Sequence, residues 1–267
     1  MDKIARRLTY YLLVVGCAVA VTACASTGTR VEFTSATPSQ VTIWGTLTRP
    51  EGTGRFPAVV LLHGVGGLRY ETRLFDQQPK WANAGFACLV VDSYGPRGTT
   101  DQLHEADRQI ARERISDAYG AIRYLQSRPD IDPERIAIIG DDDGGRVALA
   151  VAGGVEPGAP LPRAAVGYYP NCQVQITALR VPFLAHVAGA DDWPGLLPCP
   201  RLFAYLRSSE GAKLVVFTYP DTYHGFNISP SLTLVHVGRG TVQYNAAATS
   251  LAWDRTLGFL KEQLGLK

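Results

Sequence analysis

The hydrophobic pattern of the chain is dominated by short, continuous apolar runs rather than by alternation of apolar and polar residues. Six runs rich in β-branched and aliphatic side chains cover residues 57–62, 87–91, 136–139, 164–168, 182–187 and 214–218. Such runs are typical of strands that are buried on both faces of a parallel sheet. Residues 41–47 also have strand character.

Segments with apolar residues at helical spacing lie between these runs. One covers 106–125, a second helix starts within 147–151, and a third closes the chain at 251–264. The alternation of strands and helices predicts an α/β fold, with a mostly parallel central sheet and helices on both faces. The 267 residues are enough for one large domain with a well-buried core.

The N-terminus has the parts of an export signal. Basic residues among the first seven positions precede an apolar stretch at 10–23, which is short for a membrane span. The stretch ends in Val21-Thr22-Ala23-Cys24 and resembles a bacterial lipobox, in which the cysteine is acylated and becomes the mature N-terminus. A plain signal peptide cut nearby, or an uncleaved anchor, is the alternative.

This interpretation divides the chain into a lipoprotein signal peptide at 1–23, a tether at 24–35 and a folded domain at 36–267. It predicts an exported protein that faces the periplasm and is anchored to a membrane through lipid on Cys24. Because Ala25 rather than an aspartate follows the cysteine, we expect the outer membrane. The net charge of +2, without any basic run, gives no indication of a nucleic-acid partner.

The chain has five cysteines, one of which leaves with the signal peptide and one of which is Cys24. Cys88 lies in an apolar run, so we expect it to be a buried small hydrophobic residue. Cys172 and Cys199 remain. An oxidising compartment favours a disulfide between them, although the sequence alone does not fix the pairing.

Candidate chemistry begins where the run 136–139 ends, because active sites of open α/β sheets lie at the carboxyl ends of the strands. The next residues, Gly140-Asp141-Asp142-Asp143-Gly144-Gly145, match the spacing of a nucleophile elbow, with Asp142 at its tip. Backbone N–H groups at the start of the following helix would favour negative charge there. The alternatives are a turn with helix caps, or a cation site of acidic oxygens.

Two further polar residues follow later strands. Asp191 lies 49 residues after Asp142, and His224 lies 33 residues after Asp191. Nucleophile, acid and histidine is the triad order of α/β-hydrolases. In that arrangement Asp191 would orient the imidazole of His224, which would act as the base.

Five motifs together resemble the dienelactone hydrolase family over about residues 40–265. They are Leu61-Leu62-His63-Gly64-Val65-Gly66-Gly67, Val91-Asp92-Ser93-Tyr94-Gly95-Pro96-Arg97-Gly98, the elbow, Gly189-Ala190-Asp191-Asp192-Trp193 and His224-Gly225-Phe226. The resemblance implies an α/β-hydrolase fold with no cap domain, and hydrolysis of a small ester or lactone by a cysteine or serine, with no cofactor and no metal.

The resemblance also implies roles for particular residues. The backbone N–H groups of Val65 and Asp143 would form an oxyanion hole. Arg97 and Trp193 would bind a small-molecule substrate, Arg97 through a carboxylate because a guanidinium suits bidentate pairing. A salt bridge within the loop is the alternative role for Arg97.

The chain departs from the family at Asp142, where serine or cysteine is usual. A carboxylate that attacks an ester gives a mixed anhydride, whereas attack on the saturated carbon of an epoxide or halide gives an ordinary ester. Three hypotheses follow: an ester or lactone hydrolase, an epoxide or carbon–halogen hydrolase with Asp142 as covalent nucleophile, or an inactive lipoprotein that binds a ligand or partner.

Overall fold

The computed structural model describes residues 28–36, 40–101, 108–210, 213–230, 235–237 and 240–267. An eight-stranded sheet has the order β1-β2-β4-β3-β5-β6-β7-β8. Its strands are β1 Thr29–Thr34, β2 Thr42–Thr48, β3 Phe56–Leu62, β4 Ala87–Asp92, β5 Ile131–Asp141, β6 Ala164–Tyr168, β7 Phe183–Ala188 and β8 Leu214–Tyr219. Strands β3 to β8 pair in parallel, whereas β1 and β2 are antiparallel additions at one edge. The predicted mostly parallel sheet is confirmed.

Both faces of the sheet are covered by helices. These are α1 Gly67–Tyr70, α2 Arg73–Asn83, α3 Arg108–Gln126, α4 Asp143–Gly153, α5 Cys199–Glu210 and α6 Ala246–Gln263. Successive residues of β3 divide between two hydrophobic clusters: Val60 and Leu62 join α3, α4 and α5, while Val59 and Leu61 join α2 and α6. Burial of each such side chain contributes roughly 1.5–3 kcal/mol. This two-sided burial explains why the strands are continuously apolar.

Some elements differ from the sequence prediction. The sequence predicts a tether at 24–35, but Thr29–Thr34 forms β1 and pairs with β2 over its whole length. The ordered sheet therefore begins before residue 36. The helices α2 and α5 are additional to those predicted; the segment of α2 is largely polar and contains Pro79.

The cysteines that remain in the domain behave as predicted. Cys172 and Cys199 form a disulfide, with Cα atoms 5.1 Å apart. Cys88 is a free, buried thiol. Cys24 and the predicted signal peptide lie outside the described residues. Among the residues that are described, no helix is long and apolar enough to span a membrane.

Candidate active site

The turn between β5 and α4 holds Asp142 in an unusual backbone conformation. Asp142 has φ 49° and ψ −112°, which is strained for a residue with a side chain. The flanking glycines permit this turn, because a Cβ at Gly140 would meet the backbone of Gly144, and one at Gly144 would meet that of β3. The sequence pattern of a nucleophile elbow therefore corresponds to a strand–turn–helix with Asp142 at its tip.

The three consecutive aspartates of the elbow have different partners. Asp141 forms an ion pair with Arg73, and Asp143 pairs with Arg114 at 2.6 Å and with Arg146 at 2.5 Å. Burial alone would raise the pKa of Asp143, but the two arginines outweigh burial and lower the pKa. Asp142 has no arginine partner among the described residues, so its carboxylate is the one left for chemistry.

The carboxylate of Asp142 occupies the predicted oxyanion hole. Its Oδ2 accepts a hydrogen bond from the backbone N–H of Val65 at 3.1 Å, and the backbone N–H of Asp143 also donates to this carboxylate. Burial raises the pKa of Asp142, while His224 and these two N–H groups oppose the rise. The other oxygen, Oδ1, lies 3.9 Å from Nε2 of His224.

His224 is held from its other side. Its Nδ1 lies 2.9 Å from Oδ2 of Asp191, whose side chain is fully buried. The second oxygen of Asp191 accepts the backbone N–H of Trp193 at 2.9 Å. The indole of Trp193 stacks on the imidazole, with ring centroids 4.5 Å apart. The three residues predicted as a triad are therefore brought together, and His224 is positioned to act on whatever lies beside Asp142.

A cavity of about 180 Å³ opens above the elbow. Its walls are formed by Val65, Gly66, Tyr70, Glu71, Asp142, Tyr169, Trp193, His224, Ile228 and Val242. Trp193, which the sequence predicts to bind substrate, lines this cavity. Ile228 and Val242, which belong to segment 228–245, form part of this wall. Two short strands of the same segment, β9 Val235–Val237 and β10 Gly240–Val242, pair in antiparallel orientation.

Arg97 is placed away from this cavity. Its guanidinium pairs with Asp117 through two hydrogen bonds of 2.8 and 2.9 Å, and with Glu113 at 2.8 Å. It also donates to the carbonyl of Ser93 at 2.7 Å. The guanidinium of Arg97 is therefore engaged by protein oxygens. The salt-bridge alternative is supported, and the predicted contact of Arg97 with a substrate carboxylate is wrong.

Two titratable groups near the elbow were not predicted as functional. His63 is buried, and burial lowers its pKa to about 3, so the imidazole is neutral. Glu71 lies on the cavity wall, where burial raises its pKa to about 8. Little in the sequence points to Glu71, because this residue follows the motif at 61–67 in a polar segment without an apolar pattern.

The arrangement of strand ends, elbow and histidine can be compared with known proteins. The model of the dienelactone hydrolase family matches residues 43–264. The chain belongs to the dienelactone hydrolase family. Members of this family have the α/β-hydrolase fold, and curated relatives of this chain are named as a lactonase and a carboxymethylenebutenolidase.

Curated relatives of this family member include two bacterial proteins. A Bradyrhizobium protein named as a 2-oxo-3-(5-oxofuran-2-ylidene)propanoate lactonase is 30% identical over 166 residues, which are 55% of this chain and 64% of the relative. The matched region is thus less than two thirds of that relative. A Synechocystis protein named as a carboxymethylenebutenolidase is 26% identical over 246 residues, covering 83% of this chain and 92% of the relative.

Solved structures agree on the fold. A dienelactone hydrolase-like promiscuous phosphotriesterase from metagenomic libraries superposes with a TM-score of 0.68 and 19% identity, over 88% of this chain and 98% of that one. An esterase from Pyrobaculum calidifontis gives a TM-score of 0.63 at 19% identity, over 88% and 85% of the two chains. At these identities the likeness concerns the architecture alone.

Proposed function

We propose that this family member hydrolyses a small substrate through covalent catalysis by Asp142. The observation that carries the proposal is the position of Oδ2 of Asp142, which accepts the backbone N–H of Val65. In a serine or cysteine enzyme the N–H groups of the oxyanion hole, which correspond here to those of Val65 and Asp143, would be free for the carbonyl oxygen of the substrate. Here they hold an oxygen of the nucleophile itself, and they leave Oδ1 to face His224.

In the first half-reaction, Oδ1 of Asp142 attacks a saturated carbon of the substrate. The bond from that carbon to its leaving group breaks, and the leaving group departs with the electron pair. The product is an alkyl ester of Asp142, whose carbonyl oxygen is Oδ2. This oxygen already lies in the oxyanion hole, so the ester is formed in position for hydrolysis.

In the second half-reaction, a water molecule near His224 attacks Cγ of Asp142. His224 Nε2 takes the proton of the water, and Asp191 stabilises the imidazolium from the opposite side. The negative charge that develops on Oδ2 is stabilised by the N–H group of Val65, and the N–H group of Asp143 also stabilises negative charge on this side chain. Collapse of the intermediate releases the alcohol. The ester-hydrolysing machinery of the family thus acts on an ester that the enzyme builds on its own side chain.

The substrate class follows from the chemistry of a carboxylate and from the size of the site. An epoxide or a carbon–halogen bond presents a saturated electrophilic carbon, and a cavity of about 180 Å³ holds only a small molecule. Aromatic and aliphatic side chains, including Trp193, Ile228 and Val242, form much of the wall. We therefore propose a small, largely apolar epoxide or haloalkane as the substrate.

A second candidate function is favoured by the names of the relatives, which include a lactonase and a carboxymethylenebutenolidase. In this alternative the enzyme cleaves a small ester or lactone. Asp142 and His224 would then activate a water molecule for direct attack on the substrate carbonyl, and no bond to Asp142 would form. The two mechanisms differ in where the oxygen of water first appears.

Oxygen-18 water distinguishes the mechanisms in a single turnover. The covalent mechanism predicts that the label enters the peptide containing Asp142, whereas direct attack places it in the product during the first turnover. His224→Ala should accumulate the alkyl-enzyme in intact-protein mass spectra, and Asp142→Asn should form none. A label found only in the product would overturn covalent catalysis. Absence of turnover on epoxides, halides, esters and lactones alike would instead support a binding protein.

We also propose that the protein acts as an exported lipoprotein. The support is the sequence Val21-Thr22-Ala23-Cys24 after a short apolar stretch, together with the disulfide between Cys172 and Cys199. Disulfides persist in oxidising compartments such as the periplasm. The expected location is the periplasmic face of the outer membrane.

A further inference from the structure

Glu71 is a buried carboxyl group on the wall of the cavity that contains Asp142. It follows α1 and precedes α2, and its side chain is 7% exposed. Its Oε1 accepts the backbone N–H of Gly64 at 2.7 Å. Its Oε2 has no hydrogen-bond partner within the part of the chain that the structure describes. A buried oxygen without a partner is costly, so this group calls for an explanation.

The charges around Glu71 disfavour a second anion. Asp141 and Asp142 both add negative charge near Glu71. The cation Arg73 is ion-paired to Asp141 and lies 3.7 Å from Oε2. Burial is the largest cause that raises the pKa of Glu71 to about 8, and the two aspartates add to it. The other titratable groups that interact with Glu71 are Tyr94, Arg114 and Tyr169.

Glu71 and Asp142 therefore divide the roles of acid and base. The backbone N–H groups of Val65 and Asp143 stabilise the anion of Asp142, whereas Glu71 receives one N–H and is flanked by negative charge. Pairs of carboxyls whose environments differ in this way supply a proton donor and a nucleophile in one site. Oε2 of Glu71 is covered by protein and has no hydrogen-bond acceptor for its proton among the described residues. Because Glu71 lines the cavity, rotation of the carboxyl about the Cγ–Cδ bond is the motion that turns this proton towards a substrate oxygen.

We propose that Glu71 is the general acid that protonates the leaving oxygen when a carbon–oxygen bond of the substrate breaks. This inference rests on the covalent mechanism proposed above. As Oδ1 of Asp142 bonds to the carbon, the electron pair of the carbon–oxygen bond passes to oxygen, which takes the proton of Glu71. Hydrolysis of the ester later leaves Asp142 as a carboxylic acid. Transfer of that proton to the Glu71 anion restores both groups.

The leaving group provides the test. A halide departs without a proton, but an alkoxide needs one. Glu71→Gln keeps an oxygen for the N–H of Gly64 and removes the acid. We expect this variant to form the alkyl-enzyme from a small epoxide about 10²–10⁴-fold more slowly, and from a matched haloalkane at a rate within a few-fold of the native protein. Rapid-quench mass spectrometry measures both rates. In the native protein, epoxide opening should slow as the pH rises through about 8.

Each result decides between a catalytic and a structural role. Equal slowing with epoxide and halide would mean that Glu71 only shapes the site, and no slowing with the epoxide would also overturn the proposal. If the native protein forms no adduct with either substrate, the covalent mechanism fails on its own. Ester hydrolysis with leaving alcohols of graded acidity then tests Glu71, because an acid role requires slowing that grows as the alcohol becomes less acidic. Uniform slowing, or no hydrolysis at all, would refute it.

Discussion

The protonation of Glu71 has a consequence for stability that can be measured without a substrate. The pKa of this group rises from 4.5 to about 8 on folding, chiefly because the carboxyl is buried. Between these values the folded protein holds a proton that the unfolded chain has released. The stabilisation that Glu71 contributes is therefore fully present below pH 4.5 and is lost as the pH rises towards 8. The reason is that a rise in pH favours the state that binds fewer protons, which over this range is the unfolded chain.

The size of the effect follows from the same values. A rise from 4.5 to about 8 corresponds to at most about 5 kcal/mol, at roughly 1.36 kcal/mol for each pH unit. Glu71→Gln has no titrating group at this position and keeps the acceptor for the N–H of Gly64. The native protein should thus lose stability relative to the variant as the pH rises.

Guanidinium unfolding at a series of pH values, with both proteins under identical salt, gives this difference directly. We expect the native protein to weaken against Glu71→Gln by several kcal/mol between about pH 5 and pH 8. Infrared spectra should also show a protonated carboxyl band at neutral pH that disappears in the variant. A free-energy difference that does not change with pH would refute the claim that Glu71 is neutral, and with it the acid role.

Three further predictions concern other parts of the chain. Asp143→Asn should lower stability by about 3–5 kcal/mol in chemical unfolding, because it leaves the buried guanidinium of Arg114 without its carboxylate; a loss below about 1 kcal/mol would contradict this pairing. Arg97→Gln should destabilise the fold by a similar amount, since it leaves the buried Asp117 unpaired, while KM stays unchanged; a tenfold rise in KM would return Arg97 to substrate binding. Cys24→Ser should move the protein from the membrane to the soluble fraction and prevent incorporation of labelled palmitate; membrane retention would exclude the lipid anchor.

The sequence by itself determined the central architecture and the order of the candidate catalytic residues along the chain. Continuous apolar runs predicted strands buried on both faces, because only a sheet covered by two layers of helices buries every residue of a strand. The glycine spacing around Asp142 predicted the elbow, since few other residues fit so tight a turn. Asp191 and His224 followed later strands, and the carboxyl ends of parallel strands meet at one edge of the sheet.

Only the tertiary structure decided how the charged groups near the elbow are partnered. The sequence placed Arg97 and Asp142 in a family pattern but could not show that Arg97 is committed to Asp117, or that Oδ2 of Asp142 accepts the N–H of Val65. These contacts join residues 20 and 77 positions apart. They depend on distances of a few tenths of a nanometre, which a one-dimensional pattern does not contain. For Glu71 the protonation state depends on the burial and neighbouring charges that folding creates, so a local sequence of polar residues carries no sign of it.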